Sequence, residues 1–398
     1  VIATSPLLLC GIATSPARAQ IQVLNSQIQL GDVFASQRLN VVAAPGGTST
    51  SSSAIGQAVT VSSTDEAVSL QSAQHTDGAV SAQNYTQVSG SSGAYFTTNT
   101  SANGASGYAS TCCAGVAGAV TQATSGAVTA EDTALLGGAT QSLAVSASAI
   151  GVTQGWSVTN GSITTTTSQT NQGAVNASET ASANQVNGSA TYVALAAGND
   201  LETSGANSAL NLTVSQSQTG PAVAANLGVT QGYGVDISSS ATATANNINA
   251  IADSNGSTLA STQVNTTPVT AGAGVQVGDW SGSASTISYG VANSALLSNS
   301  GSYTGVTNDQ SNGGAVTVSA TFSGETGGVA SASATGLGNA ISAYACPVCS
   351  GQIQATSAQS NSGGVSAATY LSLGSVGAAL GQASAVGNTA TFQVRSTK

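Results

Sequence analysis

One motif returns eight times along this chain, and the spacing of its copies leaves few folds open. Its clearest copy is Ser168–Ala177, SQTNQGAVNA, in which glutamine leads, asparagine follows two residues on, and glycine precedes Val-x-Ala. Aligned on the valine, the copies fall at Val33, Val80, Val128, Val175, Val223, Val269, Val316 and Val365. The intervals are 47, 48, 47, 48, 46, 47 and 49 residues. Gln27, Gln74, Gln122, Gln169, Gln263, Gln310 and Gln359 each stand six positions before their valine. The copy at Val223, SQSQTGPAVAA, reads as off register. Spacing this regular marks an array of equal units, which overrides length as a guide to domain number. The array spans residues 20–398, and a disordered linker would have no reason to keep a valine at that period.

Composition narrows the partners. Charged residues make up 5% of the chain, against about a quarter in ordinary domains. The cations are Arg18, Arg38, Arg395 and Lys398, so from Leu39 to Val394 there is none, and the net charge is −10. Such a surface repels phosphate, which excludes nucleic acid as a partner and disfavours anionic lipid.

Residues 1–19 read as a secretory signal segment. Leu7–Ala13 is a short apolar core, and Ala17-Arg18-Ala19 supplies a small-x-small site before Gln20. Cys10 invites a lipoprotein reading, but Leu9 before it is not small, so cleavage after Ala19 is expected. No later apolar run reaches the length of a membrane-spanning helix. The expectation is an exported chain.

Within the unit a second landmark follows the valine by 23 or 24 residues, at Asn103, Asn199, Asn246, Asn293, Asn339 and Asn388. Runs such as SATATAN, ending at Asn246, alternate methyl and hydroxyl groups, which makes a strand with one buried face. Gly and Asn between the runs are turn punctuation. The reading is all-β: a β-solenoid of eight 47-residue units, each taken as two coils of about 23 residues. Stacked coils let repeated Gln and Asn form amide ladders. A β-propeller with one unit per blade is the alternative.

Catalysis is hard to stage. His75 is the only histidine and sits beside a glycine turn with Asp77. The acids cluster as Asp65-Glu66, Glu131-Asp132 and Asp200-x-Glu202. A β-helical polysaccharide lyase or hydrolase could use such pairs, but it would want a base to meet a uronate, and none stands between Leu39 and Val394. Solvated loop acids are the plainer reading. No catalytic residue, cofactor or metal site is assigned; the carboxylates could bind calcium only weakly, without a nonapeptide pattern. Cys112-Cys113 and Cys346-x-x-Cys349 occupy the same place in their repeats and are candidates for structural disulfides in an exported chain. A redox site at Cys346–Cys349, or a vicinal or intermolecular bond at Cys112-Cys113, is the rival.

The copies SQTNQGAVNA and DQSNGGAVTV (309–318) loosely resemble the Gln/Asn/Gly repeats of the curlins. As a whole, the base-poor, Ala/Ser/Thr/Asn-rich chain looks like the holdfast attachment protein D family of stalked alphaproteobacteria. That resemblance rests on organisation and composition over the full length. It implies a non-enzymatic surface protein that anchors a polysaccharide adhesin, the holdfast, to the outer membrane at the cell pole. It also implies two partners, a curlin-like anchor subunit and an outer-membrane secretion lipoprotein. The family has no catalytic residues to carry over. Self-association through open strand edges is a further expectation, and a generic surface adhesin or fibre is the other rival.

Overall fold

The computed structural model describes residues 20–110, 115–254, 256–346 and 351–394. Every named element is a strand, and every strand pair is parallel, because each strand lies beside its own repeat one unit away. The strands form three walls. The first has eight members: Gln20–Gln29, Ala67–Thr76, Gly115–Thr124, Ser162–Asn171, Ala209–Gln218, Ser257–Asn265, Tyr303–Asn312 and Gln352–Asn361. The second wall begins at the motif valine, as in Val80–Val88, Val128–Thr140 and Val175–Val186. The third carries the asparagine landmark, as in Ala94–Ala109, Ser189–Ala206 and Asp236–Ala252, with Val152 at that place in Leu143–Thr159. In the last three units the second and third walls join in single bent strands, Val269–Asn299, Val316–Ala345 and Val365–Val394. Stacked coils of parallel strands are a β-solenoid, whereas blades would pair antiparallel within each unit. The propeller alternative is excluded.

The coil count differs from the expectation. Asn199 lies beside Asn246, and Asn246 beside Asn293, each 47 residues apart; neither lies beside a motif valine. One 47-residue unit is therefore one coil, and the half-unit landmark marks the opposite wall of that coil. The reason is chemical: the Gln-x-Asn-x-Gly-x-Val half and the Ser-Ala-Thr-Ala half place different residues at matching positions. Like side chains can stack only at the full period. Eight coils rise about 38 Å, half the length that sixteen would give.

The third wall bends where its inside–outside alternation skips a beat. Ala102 and Asn103, and likewise Ala245 and Asn246, are consecutive and both buried. The bend divides the interior in two. On one side the valine column and the first half of the third wall, with Phe96, Val145, Tyr192 and Phe322, form the larger apolar core. On the other, the second half of that wall packs Trp156, Leu201 and Ile248 against Leu70, Ile163 and Leu212 of the first wall.

Two amide columns close the partition between these cores. Along one column of the first wall, each Gln from Gln74 to Gln359 donates one Nε2 hydrogen to the Gln of the preceding coil, at 2.7–3.3 Å, from Gln74→Gln27 through to Gln359→Gln310. Its other hydrogen goes across to the backbone carbonyl just after the landmark position, as from Gln216 to Asn247 at 2.7 Å. The asparagines reciprocate. Asn246 donates to Asn293 of the next coil at 2.7 Å and to the carbonyl of Val264, the residue after Gln263, at 2.9 Å. Both hydrogens are thereby used in Gln74 through Gln359 of that column and in Asn199, Asn246, Asn293 and Asn339, which is what burial of an amide demands.

Corners between the first and second walls stack glycine on glycine. A β-carbon at Gly173 would run into the carbonyl oxygen of Gly126, and one at Gly126 into that of Gly78. One coil places Thr267 in this column instead, and its hydroxyl donates to the Gly220 carbonyl at 2.7 Å. Gly173→Val and Gly173→Thr are close to isosteric, so their difference isolates that hydrogen bond. Both should destabilise the array, the valine variant by about 1 kcal/mol more. Urea unfolding checks this, and equal losses would remove the hydroxyl's role.

Candidate binding surface

The motif residues are structural. Val80, Val128, Val175, Val223, Val269 and Val316 are fully buried, Val33 and Val365 partly so at the two ends of the stack. The glutamine column has one member more than the motif showed. Gln216, seven residues before Val223, pairs with Gln169 and Gln263 and is hydrogen-bonded to both. The Val223 copy is in register in both strands, since Asn171 pairs with Gln218 and Val175 with Val223. Its extra residue is taken up in the turn Thr219–Ala222.

The chemical candidates are mostly dispersed. His75 Nε2 lies 2.8 Å from Asp77 at an exposed corner. The Ser125 hydroxyl, which donates to Asp77 at 2.6 Å, is the main cause of a lowered Asp77 pKa, with His75 adding to it. Asp65 and Glu66 stand in the connection before Ala67. Glu131 and Asp132 are split by the strand: Glu131 faces out and accepts from Gln83 at 3.0 Å, while Asp132 faces the core. They cannot act as a pair. Among the described residues no group of three His, Cys, Asp or Glu could hold a metal. Cys346 is buried just past its strand, whereas Cys112, Cys113 and Cys349 lie outside the described residues, as does the segment 1–19.

Asp200 and Glu202 are different, because both face outward on the third wall beside a trough. Burial, with a smaller contribution from the Glu202 charge, pushes the Asp200 carboxyl up to about 6, against a 2.8 Å hydrogen bond from Asn247. The trough, of about 450 Å³, runs along the coil axis on the second half of the third wall. Two registered rows build it. Tyr108, Ser157, Ser204 and Ile251 make one, and Ser106, Gly155, Glu202 and Asn249 the other. Tyr108 and Ile251 are large, exposed and three coils apart, with only small residues between them in their row. Beneath, Trp156 fills the space over Gly107, where a β-carbon would meet its indole ring. Asn249 Oδ1, on the outward row, has no hydrogen-bond partner among the described residues, whereas Trp156 and Thr203, buried between outward-facing neighbours, turn their side chains into the core beneath. Sequence reasoning singled out Glu202 alone of this set. The rest come together only through the coil period, which puts residues 47 to 49 apart side by side.

Residues 42–315, from the first coil to the corner of the seventh, match the family described as holdfast attachment protein D. The chain belongs to that family. The match takes in the whole trough and more than half of the sequence. Membership in the holdfast attachment protein D family gives the chain a role in holdfast attachment and implies association with the cell surface. No curated protein and no solved structure matches the chain significantly.

Proposed function

We propose that this chain is an exported, non-enzymatic structural protein that anchors the holdfast polysaccharide to the outer membrane at the cell pole. The observation that carries the reading is the family match, with the fold beneath it: a doubly stitched, nearly base-free solenoid whose outer faces are rich in hydroxyl and amide groups. Rows repeated at each coil turn weak sugar contacts into avidity. A curlin-like anchor subunit and an outer-membrane secretion lipoprotein are its proposed partners, and self-association its proposed route to a larger anchor. Removal of a signal segment at Ala19 belongs to the same proposal. So do local disulfide staples, which the disulfide-bonded state of Cys346 supports.

The test is deletion in the bacterium that carries the chain, with labelled holdfast counted on cells and in the medium. Shedding of intact holdfast is the expected result. Retention on every cell would overturn the anchor role, and fractionation with immunogold labelling checks the outer membrane and the pole.

A further inference from the structure

We infer that the trough on the third wall is a glycan site, and that it takes a short run of sugar units free of acid groups, lying along the coil axis. The inference rests on the holdfast reading and adds to it the place and the class of sugar. Three observations converge. The trough is lined by the outward hydroxyls of Ser106, Ser157 and Ser204 and by Asn249, whose Oδ1 has no hydrogen-bond partner among the described residues. Native structures seldom leave such an acceptor orphaned, and sugar hydroxyls, being donors and acceptors at once, suit it and the serines alike. Tyr108 and Ile251 mark its ends about 14 Å apart, three strand spacings, which is the reach of a few sugar rings. Gly155 and Ser157 keep the middle open.

Charge then selects the sugar. Glu202 lines the trough, and Asp200, whose carboxyl is held up in part by the Glu202 charge, stands in the adjacent row. No lysine or arginine lies between Leu39 and Val394 to neutralise either one. A uronate would add a third negative charge with no counter-ion. Neutral sugars meet no such penalty, and an amine would be drawn in.

Gly155 provides a clean test, because a β-carbon there meets nothing within 4 Å. Gly155→Leu fills the trough without displacing a neighbour, and its fold is checked by circular dichroism and thermal unfolding. Binding of the full chain to cello-, chito-, chitosan and galacturonate oligosaccharides is measured by calorimetry at low and moderate salt. At least one acid-free oligomer should bind, and Gly155→Leu should weaken it about tenfold or more, close to 1.4 kcal/mol. The galacturonate oligomer should not bind, and Glu202→Gln should reduce the discrimination against it. Equal binding by the folded Gly155→Leu chain, tightest binding of the galacturonate, or no binding by any acid-free oligomer overturns the site. In cells the two readings separate. Holdfast kept by Gly155→Leu but shed on deletion sinks the trough and leaves the anchor standing, whereas holdfast kept on deletion sinks the anchor itself.

Discussion

Going from about pH 4 to pH 8, the array should lose about 2–3 kcal/mol of stability to Asp132 alone, one pKa unit being worth about 1.4 kcal/mol. Asp132 points into the larger core and is 2% exposed. Burial pushes its carboxyl up to about 6, in spite of hydrogen bonds from Thr98 at 3.0 Å and Asn84 at 3.3 Å. Glu179 lies in register on the next coil, and neither of its oxygens has a hydrogen-bond partner among the described residues. Burial first, and the Asp132 charge second, hold its pKa well above the ordinary value. Tyr192, close enough to feel Glu179, is pushed up as well and adds no positive charge. A carboxyl whose folded pKa is raised stabilises relatively at low pH, where both states are protonated. That advantage is lost as pH rises through the folded value. Asp132→Asn with Glu179→Gln keeps the shapes and removes both titrations, so the double variant should be the more stable chain at pH 8 and should keep only the shallower slope that Asp200 leaves. Urea unfolding at several pH values reads this directly. Parallel pH slopes for the two chains would mean that the buried pair is not what titrates.

Gln216→Leu should cost about 3 kcal/mol or more, since a buried group stripped of its partner costs about 1–3 kcal/mol. The change takes the donor from Gln169 Oε1, the acceptor from Gln263 Nε2 and an amide partner from the Asn247 carbonyl. Losses of this size fall in the exceptional range for single substitutions. Gln27→Leu, at the partly exposed end of the same column, should cost under about 1 kcal/mol. The comparison matters more than either value, because in a stacked array each coil is stabilised by its neighbours. Thermal or urea unfolding of the two variants decides it. Equal costs at the middle and the end would mean that the column carries no cooperative load.

The period, the strand class and the amide ladders were legible because stacking forces one residue type to recur in one column. Val175 and Gln169 announce themselves by repetition. Gln216 did not, since the extra residue of the turn Thr219–Ala222 shifts it by one against its valine. The coil count was not legible either: alternation is the same on every wall, so a half-unit looks like a coil. The near-identical stretches GVTQGWSV (151–158) and GVTQGYGV (228–235) make the point. The first lies on the third wall and the second mostly on the second wall, yet in each the Val and Gln of VTQ face in and the Thr faces out. Asp132 and Glu179 were hidden for the converse reason, as an acid inside breaks the rule by which alternation is read. The trough could not be seen at all, because Tyr108, Gly155, Glu202 and Asn249 share neither a motif nor a neighbourhood in the chain.

The two amide columns run in opposite senses. Every glutamine of the ladder, from Gln74 to Gln359, donates toward the first coil, while Asn199, Asn246, Asn293 and Asn339 donate toward the last. A single chain of aligned amides polarises itself and gathers charge at its ends, as the peptide dipoles of an α-helix do. From the fourth coil to the eighth the two chains oppose one another across a shared partition, so there the field of one offsets that of the other. Coils can be added without an electrical penalty that grows with length, and the electrostatics of the tips are left to the side chains that happen to stand there.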